Sequence, residues 1–211
     1  MAPPPPSPLR TRYLVLYNLA SAAAWAVVLG RTAGACAREG PGAVYGAVGA
    51  WTKWVQTAAV AEVLHALFGL VRAPVATTLM QVSSRLLLVW AVVDASPRLA
   101  TAEPWYASML AAWAAAEVVR YGYFARALVR PPPAALVWLR YSAFYLLYPL
   151  GIGSECALVW AATRPEDGRG PLERRLLYAV LLIYVPGSYV LFTHMMSQRR
   201  KVLRSLGAKD R

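Results

Sequence analysis

Six long stretches of the chain consist almost entirely of apolar residues, and short polar joins separate them. A helix needs about 20 mostly apolar residues to cross a bilayer, and each stretch is close to that length. The pattern therefore predicts an all-α polytopic membrane protein, a bundle of six transmembrane helices. The predicted spans are residues 13–30, 54–71, 73–93, 105–125, 141–163 and 176–196.

Proline and glycine mark the joins between these spans, because both interrupt regular helices. The joins include Gly40-Pro41-Gly42, Ser96-Pro97 and Pro131-Pro132-Pro133. Together the spans make one membrane domain over residues 13–196. We expect a disordered Pro-rich tail over residues 1–12 and a basic cytoplasmic tail over residues 197–211, since neither is apolar enough to span a bilayer.

Composition agrees with a membrane protein and excludes a disordered chain. Hydrophobic residues make up 58% of the sequence and charged residues 15%, against about 25% charged in soluble domains. The net charge is +12, and 20 of the 22 basic residues lie outside the spans. Twelve of these fall on the side that holds both termini and eight on the other, which predicts cytoplasmic termini. The positive charge thus reports orientation, and we expect no nucleic-acid partner.

Six ionisable side chains lie inside the predicted spans, where each costs at least about 2.5–3.5 kcal/mol at the bilayer centre. Their signs nearly balance, which predicts a shared polar cavity that serves as an active site or a transport path. Interhelical salt bridges that only hold the bundle together are the alternative. Glu62–His65 and Glu117–Arg120 are each three residues apart, so each pair shares a helix face. The six are Glu62, His65, Arg85, Glu117, Arg120 and Glu155.

Tyr148 and Glu155 lie two helical turns apart on one face, about 10 Å along the axis. A phenol and a carboxyl group in an apolar cavity can transfer protons, and the carboxyl group can act as a base or as an acid. The sequence has no G-x-S-x-G nucleophile motif, no phosphate-binding glycine loop and no clear metal-ligand spacing. These observations favour acid–base catalysis on a lipid-like substrate, without cofactor or metal.

Short motifs stand in order between about Tyr13 and Arg204. They are Glu62-Val63-Leu64-His65, Gln81-Val82-Ser83-Ser84-Arg85, Glu117-Val118-Val119-Arg120-Tyr121, Leu139-Arg140-Tyr141-Ser142-Ala143-Phe144, Leu147-Tyr148-Pro149-Leu150-Gly151 and Tyr184-Val185-Pro186-Gly187. Together with Glu155 they resemble the very-long-chain (3R)-3-hydroxyacyl-CoA dehydratases. This is the protein-tyrosine-phosphatase-like family, whose plant member is PASTICCINO.

The resemblance implies dehydration of a 3-hydroxyacyl-CoA to a trans-2-enoyl-CoA, the third step of fatty-acid elongation. The family's catalytic pair falls on Tyr148 and Glu155, and either one can be the acid or the base. The family's supporting polar positions fall on Glu62, Arg85, Glu117, Arg120, Arg140 and Gly151. The phosphatase-like name has no support in the sequence, because neither cysteine is followed by an arginine six residues later.

The resemblance also implies an acyl-CoA substrate, a lipid environment and the endoplasmic reticulum membrane. The expected partners are the other elongase subunits: ketoacyl-CoA synthase, ketoacyl-CoA reductase and enoyl-CoA reductase. Arginines at the cytoplasmic rim are candidates for binding the anionic CoA, or they only set the topology. These are Arg72, Arg126, Arg130 and Arg140. A non-catalytic elongase scaffold and a small proton-coupled transporter are the alternative functions.

Overall fold

The computed structural model describes residues 7–207, and this part of the chain is helical without any strand. The all-α prediction is confirmed. The described residues form nine α-helices, two short 3-10 turns at Pro41–Ala43 and Pro165–Asp167, and one π-helix, Leu87–Asp94. The α-helices are α1 Pro8–Glu39, α2 Val44–Ala58, α3 Val60–Leu67, α4 Val75–Leu86, α5 Pro97–Ala102, α6 Trp105–Val129, α7 Ala134–Ser142, α8 Phe144–Ala161 and α9 Pro171–Gly207.

The helical region extends beyond the predicted membrane domain at both ends. The Ser7 side chain accepts a hydrogen bond from the Arg10 amide, and Pro8 takes the first helical position, where no amide hydrogen is needed. Residues 8–12 are therefore helical, although the sequence assigned them to the disordered tail. Residues 1–6 of that tail lie outside the described residues. At the other end α9 continues to Gly207, and residues 208–211 lie outside the described residues.

Within residues 7–207, four helical segments are long and apolar enough to cross a membrane: Pro8–Glu39, Val75–Asp94, Ala134–Ala161 and Pro171–Arg204. Each coincides with one of the predicted spans. The predicted spans 54–71 and 105–125 fall on α2–α3 and on α6, which are not among the four. α2–α3 is interrupted at Ala59. α6 packs extensively against α1 and α8 at the centre of the bundle.

One end of the bundle contains the first residues of α1, α4 and α7 and the last residues of α3, α6 and α9. We call it the N-terminal end. Arg10 donates to the carbonyl of Leu70 at 2.6 Å there, and Arg199 donates to Ser142 Oγ at 3.0 Å. At the opposite end Lys53 pairs with Asp94 at 2.7 Å.

The π-helix ends at that opposite end and is closed by a loop. Its last carbonyls lack helical partners. Arg169 supplies donors to two of them, the carbonyls of Ala91 at 2.7 Å and Val92 at 3.0 Å. Asp167 accepts from Arg169 and from Ser96, so the loop before α9 is fixed to the end of the π-helix.

The packed core and the cavity occupy different parts of the bundle. The core is densest toward the opposite end, where Trp25, Leu88, Met109 and Leu158 are almost fully buried. Nearer the N-terminal end, α3, α4, α6, α7, α8 and α9 enclose a cavity. The half of the bundle toward the opposite end therefore contains most of the packed core, and the half toward the N-terminal end contains a cavity that a ligand could occupy.

Candidate active site

The cavity has a volume of about 330 Å³ and contains most of the polar residues singled out in the sequence. Its walls are largely apolar, with side chains such as Val82, Ala116, Leu147 and Leu191. The residues from the sequence analysis that line it are Glu62, Arg85, Glu117, Arg120, Arg140, Tyr148, Gly151 and Glu155. The structure thus brings together side chains from α3, α4, α6, α7 and α8.

His65 is the exception among these residues, since the structure places it outside the cavity lining. Its Nε2 lies 2.8 Å from the Tyr13 hydroxyl, and its ring packs edge-on against Tyr17 at 4.7 Å between centroids. Glu62 and His65 are three residues apart, which leaves their side chains about 60° apart around the helix. That rotation turns Glu62 toward α6 and His65 toward α1.

Four of the cavity charges neutralise one another in a continuous network. Arg85 contacts one oxygen of Glu117, and Arg120 Nε contacts the other at 2.6 Å. The Arg120 guanidinium also holds Glu62 with two bonds, of 2.8 and 3.0 Å. Two carboxylates and two guanidiniums therefore cancel. Because bidentate arginine–carboxylate pairs are strong and directional, the network fixes α3, α4 and α6 relative to one another.

Glu155 is buried and has neutral partners instead of a cation. The indole of Trp113 donates to Oε1 at 2.8 Å, and the hydroxyl of Tyr184 donates to Oε2 at 2.9 Å. Within the described chain no lysine or arginine lies within ion-pair distance of this carboxyl group. Arg85 pairs with Glu117 instead.

Two hydrogen-bond donors thus orient Glu155, and sequence reasoning gave neither a role. Trp113 lies on α6 and Tyr184 on α9, 42 and 29 residues away from Glu155. Local spacing cannot reveal such contacts. Each oxygen of Glu155 accepts one bond and keeps a further lone-pair site, which suits a carboxylate that also receives a proton.

Tyr148 lies on the wall of the same cavity, half-buried. Its hydroxyl donates to the backbone carbonyl of Ser188 at 3.3 Å, and its ring lies 5.9 Å from that of Phe192. The weak bond to a carbonyl keeps the proton on the phenol oxygen. Among the described residues, no basic side chain bonds this hydroxyl. The geometry therefore presents a neutral phenol.

Gly151 keeps space open beside the carboxyl group. A Cβ at this position would lie 3.9 Å from Glu155 Oε1 and 3.8 Å from Trp113 Cδ1. These are ordinary van der Waals distances. A side chain at Gly151 would consequently fit the helix but would occupy the space next to Glu155.

Arg140 lies at the N-terminal end of the cavity and has no carboxylate at ion-pair distance among the described residues. Its guanidinium carbon is 5.7 Å from the ring of Tyr141 and 6.0 Å from the ring of Phe124. The cavity therefore combines a phenol, a carboxyl group with neutral partners and an unpaired cation. Such a set can move protons on a mostly apolar molecule that has an anionic end.

A family model described as "Protein tyrosine phosphatase-like protein, PTPLA" matches residues 56–205. A Schizosaccharomyces pombe protein named "Probable very-long-chain (3R)-3-hydroxyacyl-CoA dehydratase" is 40% identical over 202 residues, covering 95% of this chain and 97% of the relative. PASTICCINO 2A of Oryza sativa, named as a dehydratase of the same kind, is 38% identical, with 93% and 95% covered.

The human very-long-chain (3R)-3-hydroxyacyl-CoA dehydratase 2 is 32% identical, with coverage of 93% of this chain and 82% of the relative. No solved structure matches the chain. The similarity to all three relatives extends over nearly the whole chain, so it includes every helix that lines the cavity.

Proposed function

The chain belongs to the protein tyrosine phosphatase-like (PTPLA) family, and from this membership we propose that it dehydrates long- and very-long-chain (3R)-3-hydroxyacyl-CoA to trans-2-enoyl-CoA. It is then a hydro-lyase that acts at the third step of the fatty-acid elongation cycle. One observation carries the proposal. Tyr148 and Glu155 line one cavity and have no ionic partner among the described residues, while Glu62, Glu117 and Arg120 form an ion-pair network.

Dehydration needs a base for the C2 proton and an acid for the C3 hydroxyl group. We assign the base to Glu155, because its carboxylate accepts bonds from Trp113 and Tyr184 and has lone pairs left. The thioester carbonyl acidifies the C2 hydrogen. The electron pair of the C2–H bond forms the new double bond, and the C3–O bond breaks.

Tyr148 is assigned the acid. Its phenol is protonated and donates only a 3.3 Å bond to the Ser188 carbonyl, which a substrate hydroxyl can replace. The phenol proton passes to the departing oxygen, which leaves as water. The C2 proton on Glu155 balances the proton lost from Tyr148, so a proton transfer between the two groups through solvent restores the enzyme. General acid–base steps of this kind contribute about 10²–10⁴-fold each.

The four charged residues of the network support the reacting groups and do not take part in proton transfer. The network of Glu62, Glu117, Arg85 and Arg120 fixes the part of the cavity wall that α3, α4 and α6 form. Arg85 also lies 4.7 Å from the ring of Trp113, so it supports the indole that orients Glu155. The network therefore connects to the proposed base through a single aromatic side chain.

The test is turnover by the purified protein. A long-chain (3R)-3-hydroxyacyl-CoA is supplied in detergent or nanodiscs, and the trans-2-enoyl product is followed by its absorbance and by mass spectrometry. We expect stoichiometric enoyl-CoA and water without added metal or cofactor. A protein that binds the substrate but forms no enoyl product would instead support the scaffold alternative.

We also propose how the protein lies in the membrane. Six spans with both termini in the cytoplasm place the N-terminal end of the bundle, with Arg140, on the cytoplasmic side. We place the protein in the endoplasmic reticulum membrane, where the ketoacyl-CoA synthase, ketoacyl-CoA reductase and enoyl-CoA reductase of elongation are its expected partners. Glycosylation acceptors fused to each terminus should stay unmodified, and a glycosylated terminus would contradict this orientation.

A further inference from the structure

One face of α9 connects the proposed reacting groups with the N-terminal end of the bundle. Five residues follow one another at intervals of three or four, so they form a single stripe along the helix. They are Tyr184, Ser188, Leu191, Met195 and Arg199.

Contacts along the stripe show which way it faces. The Tyr184 hydroxyl bonds the proposed base, and the backbone carbonyl of Ser188 accepts a bond from the proposed acid. Leu191 and Met195 line the cavity with their side chains. Arg199 ends the stripe, with Nε bonded to Ser142 at 3.0 Å. The stripe therefore follows the cavity wall from the reaction centre to Met195 and ends one helical turn beyond it, at Arg199.

The length of this wall fits the arm that joins a CoA thioester to its phosphates. Ser188 and Arg199 are 11 residues apart. This places them about 16 Å apart along the helix axis. The pantetheine arm has about 13 bonds from sulfur to phosphorus, which is about 15 Å at the reach of an extended chain. A thioester next to Tyr148 would thus place its first phosphate beside Arg199.

Charge at this end of the bundle favours an anion. Arg140 and Arg199 have no carboxylate at ion-pair distance in the part of the chain that the structure describes. Arg140 lines the cavity from α7, and Arg199 follows the lining residue Met195 by one helical turn, so both arginines lie at the N-terminal end of the cavity. Apart from the three carboxyl groups in the cavity, the described acidic residues lie toward the opposite end. They are Glu39, Asp94, Glu103, Glu166, Asp167 and Glu173.

We propose that Arg140 and Arg199 bind the phosphate groups of the substrate's CoA moiety, with the pantetheine arm lying along α9 from Ser188 to Arg199. This inference rests on the proposed dehydratase function. An arginine guanidinium matches a phosphate with two parallel hydrogen bonds, and the charge of each partner strengthens them. The sequence also offered Arg72, Arg126 and Arg130, and these do not line the cavity. Arg199 does not line it either, and its place in the proposal rests on the α9 stripe and on its bond to Ser142.

The experiment compares two substrates that carry the same 3-hydroxyacyl group, one as a CoA thioester and one as a pantetheine thioester, which has no phosphates. We expect Arg199→Ala to lower the preference in kcat/KM for the CoA thioester about 10-fold, the loss of one charge-assisted contact. Arg140→Ala should act in the same direction. Arg200→Ala is the matched control, because Arg200 is exposed, carries the same charge and points away from the stripe. It should leave the preference near that of the wild type.

Binding gives a second readout that does not depend on turnover. Isothermal titration of free CoA into nanodisc-embedded protein should show about 10-fold weaker binding for Arg199→Ala and Arg140→Ala, and no such change for Arg200→Ala. If CoA binding depends on the two arginines but no enoyl product forms, the proposed reaction fails and the phosphate site stands.

Two results would overturn the phosphate site while leaving the reaction intact. In one, Arg199→Ala and Arg140→Ala lower kcat/KM equally for the CoA and pantetheine thioesters, which would mean that they act on the fold. In the other, Arg200→Ala matches Arg199→Ala, which would mean that only general surface charge matters.

Discussion

The Tyr184 hydroxyl on α9 donates a hydrogen bond of 2.9 Å to Oε2 of Glu155 on α8. Trp113 holds the other oxygen from α6. Three helices that are distant in sequence thus meet at one carboxyl group. A base that is held on both oxygens keeps a fixed direction toward the substrate, and small errors in that direction reduce rates strongly.

Removing the Tyr184 hydroxyl should therefore slow the reaction without preventing folding. We expect Tyr184→Phe to lower kcat about 10-fold, the scale of one hydrogen bond to a charged group, with little change in KM. Tyr178→Phe is the control, since Tyr178 is an exposed tyrosine on the same helix. Steady-state kinetics of purified variants check this. A rise in KM at constant kcat would mean that Tyr184 binds substrate and does not orient Glu155.

The acid–base assignment predicts a larger effect at the two reacting groups. Tyr148→Phe and Glu155→Gln remove a proton donor and a proton acceptor with little change in shape. Each should lower kcat by about 10²–10⁴-fold. Tyr189→Phe, at an exposed hydroxyl on α9, should keep full activity. Near-normal turnover in either test variant, with the protein inserted and folded, would remove that residue from the mechanism.

Helical periodicity in the sequence was sufficient to predict pairs within one helix. Glu117 and Arg120 are three residues apart, and the structure shows them bonded at 2.6 Å. The same rule grouped His65 with Glu62, but it does not resolve the rotation that turns His65 toward Tyr13. The break at Ala59 between α2 and α3 has no glycine or proline beside it, so the sequence pattern did not predict it.

Pairing between helices was not predictable from the sequence, because it depends on packing angles and on small offsets along each axis. Two carboxyl groups, those of Glu117 on α6 and Glu155 on α8, were candidate partners for Arg85. The sequence did not indicate which of the two would pair with it. The structure pairs it with Glu117, which leaves Glu155 to Trp113 and Tyr184. That choice separates the structural charges from the reacting ones.

The central role of Glu117 predicts a large loss of stability when its charge is removed. In Glu117→Gln two guanidiniums, those of Arg85 and Arg120, would face each other without the carboxylate between them. Breaking a buried ion pair by removing one partner costs about 3–5 kcal/mol. For a chain of this size that lowers Tm by about 10 °C. Thermal unfolding in detergent measures the change.

Two further variants test the cause of that loss. Glu103→Gln breaks a pair with Arg164 at 3.5 Å, and because that pair is solvent-exposed we expect a cost below about 1 kcal/mol. Adding Arg85→Gln to Glu117→Gln removes the uncompensated charge and should recover part of the stability. Equal Tm values for Glu117→Gln and Glu103→Gln would show that the network does not stabilise the bundle.

The open space at Gly151 predicts a variant that separates activity from folding. In Gly151→Ala the new methyl group meets only ordinary contacts, at 3.8–3.9 Å, so the helix should gain about 0.5–1 kcal/mol from the loss of glycine. The methyl group would also displace a reacting carbon from Glu155 Oε1, and a misplacement of about 1 Å can cost about 10²-fold in rate. Gly153→Ala, on the same helix with nothing within 4 Å, should gain similar stability and keep its activity. If both alanine variants turn over substrate like the wild type, the substrate does not occupy the space beside Gly151.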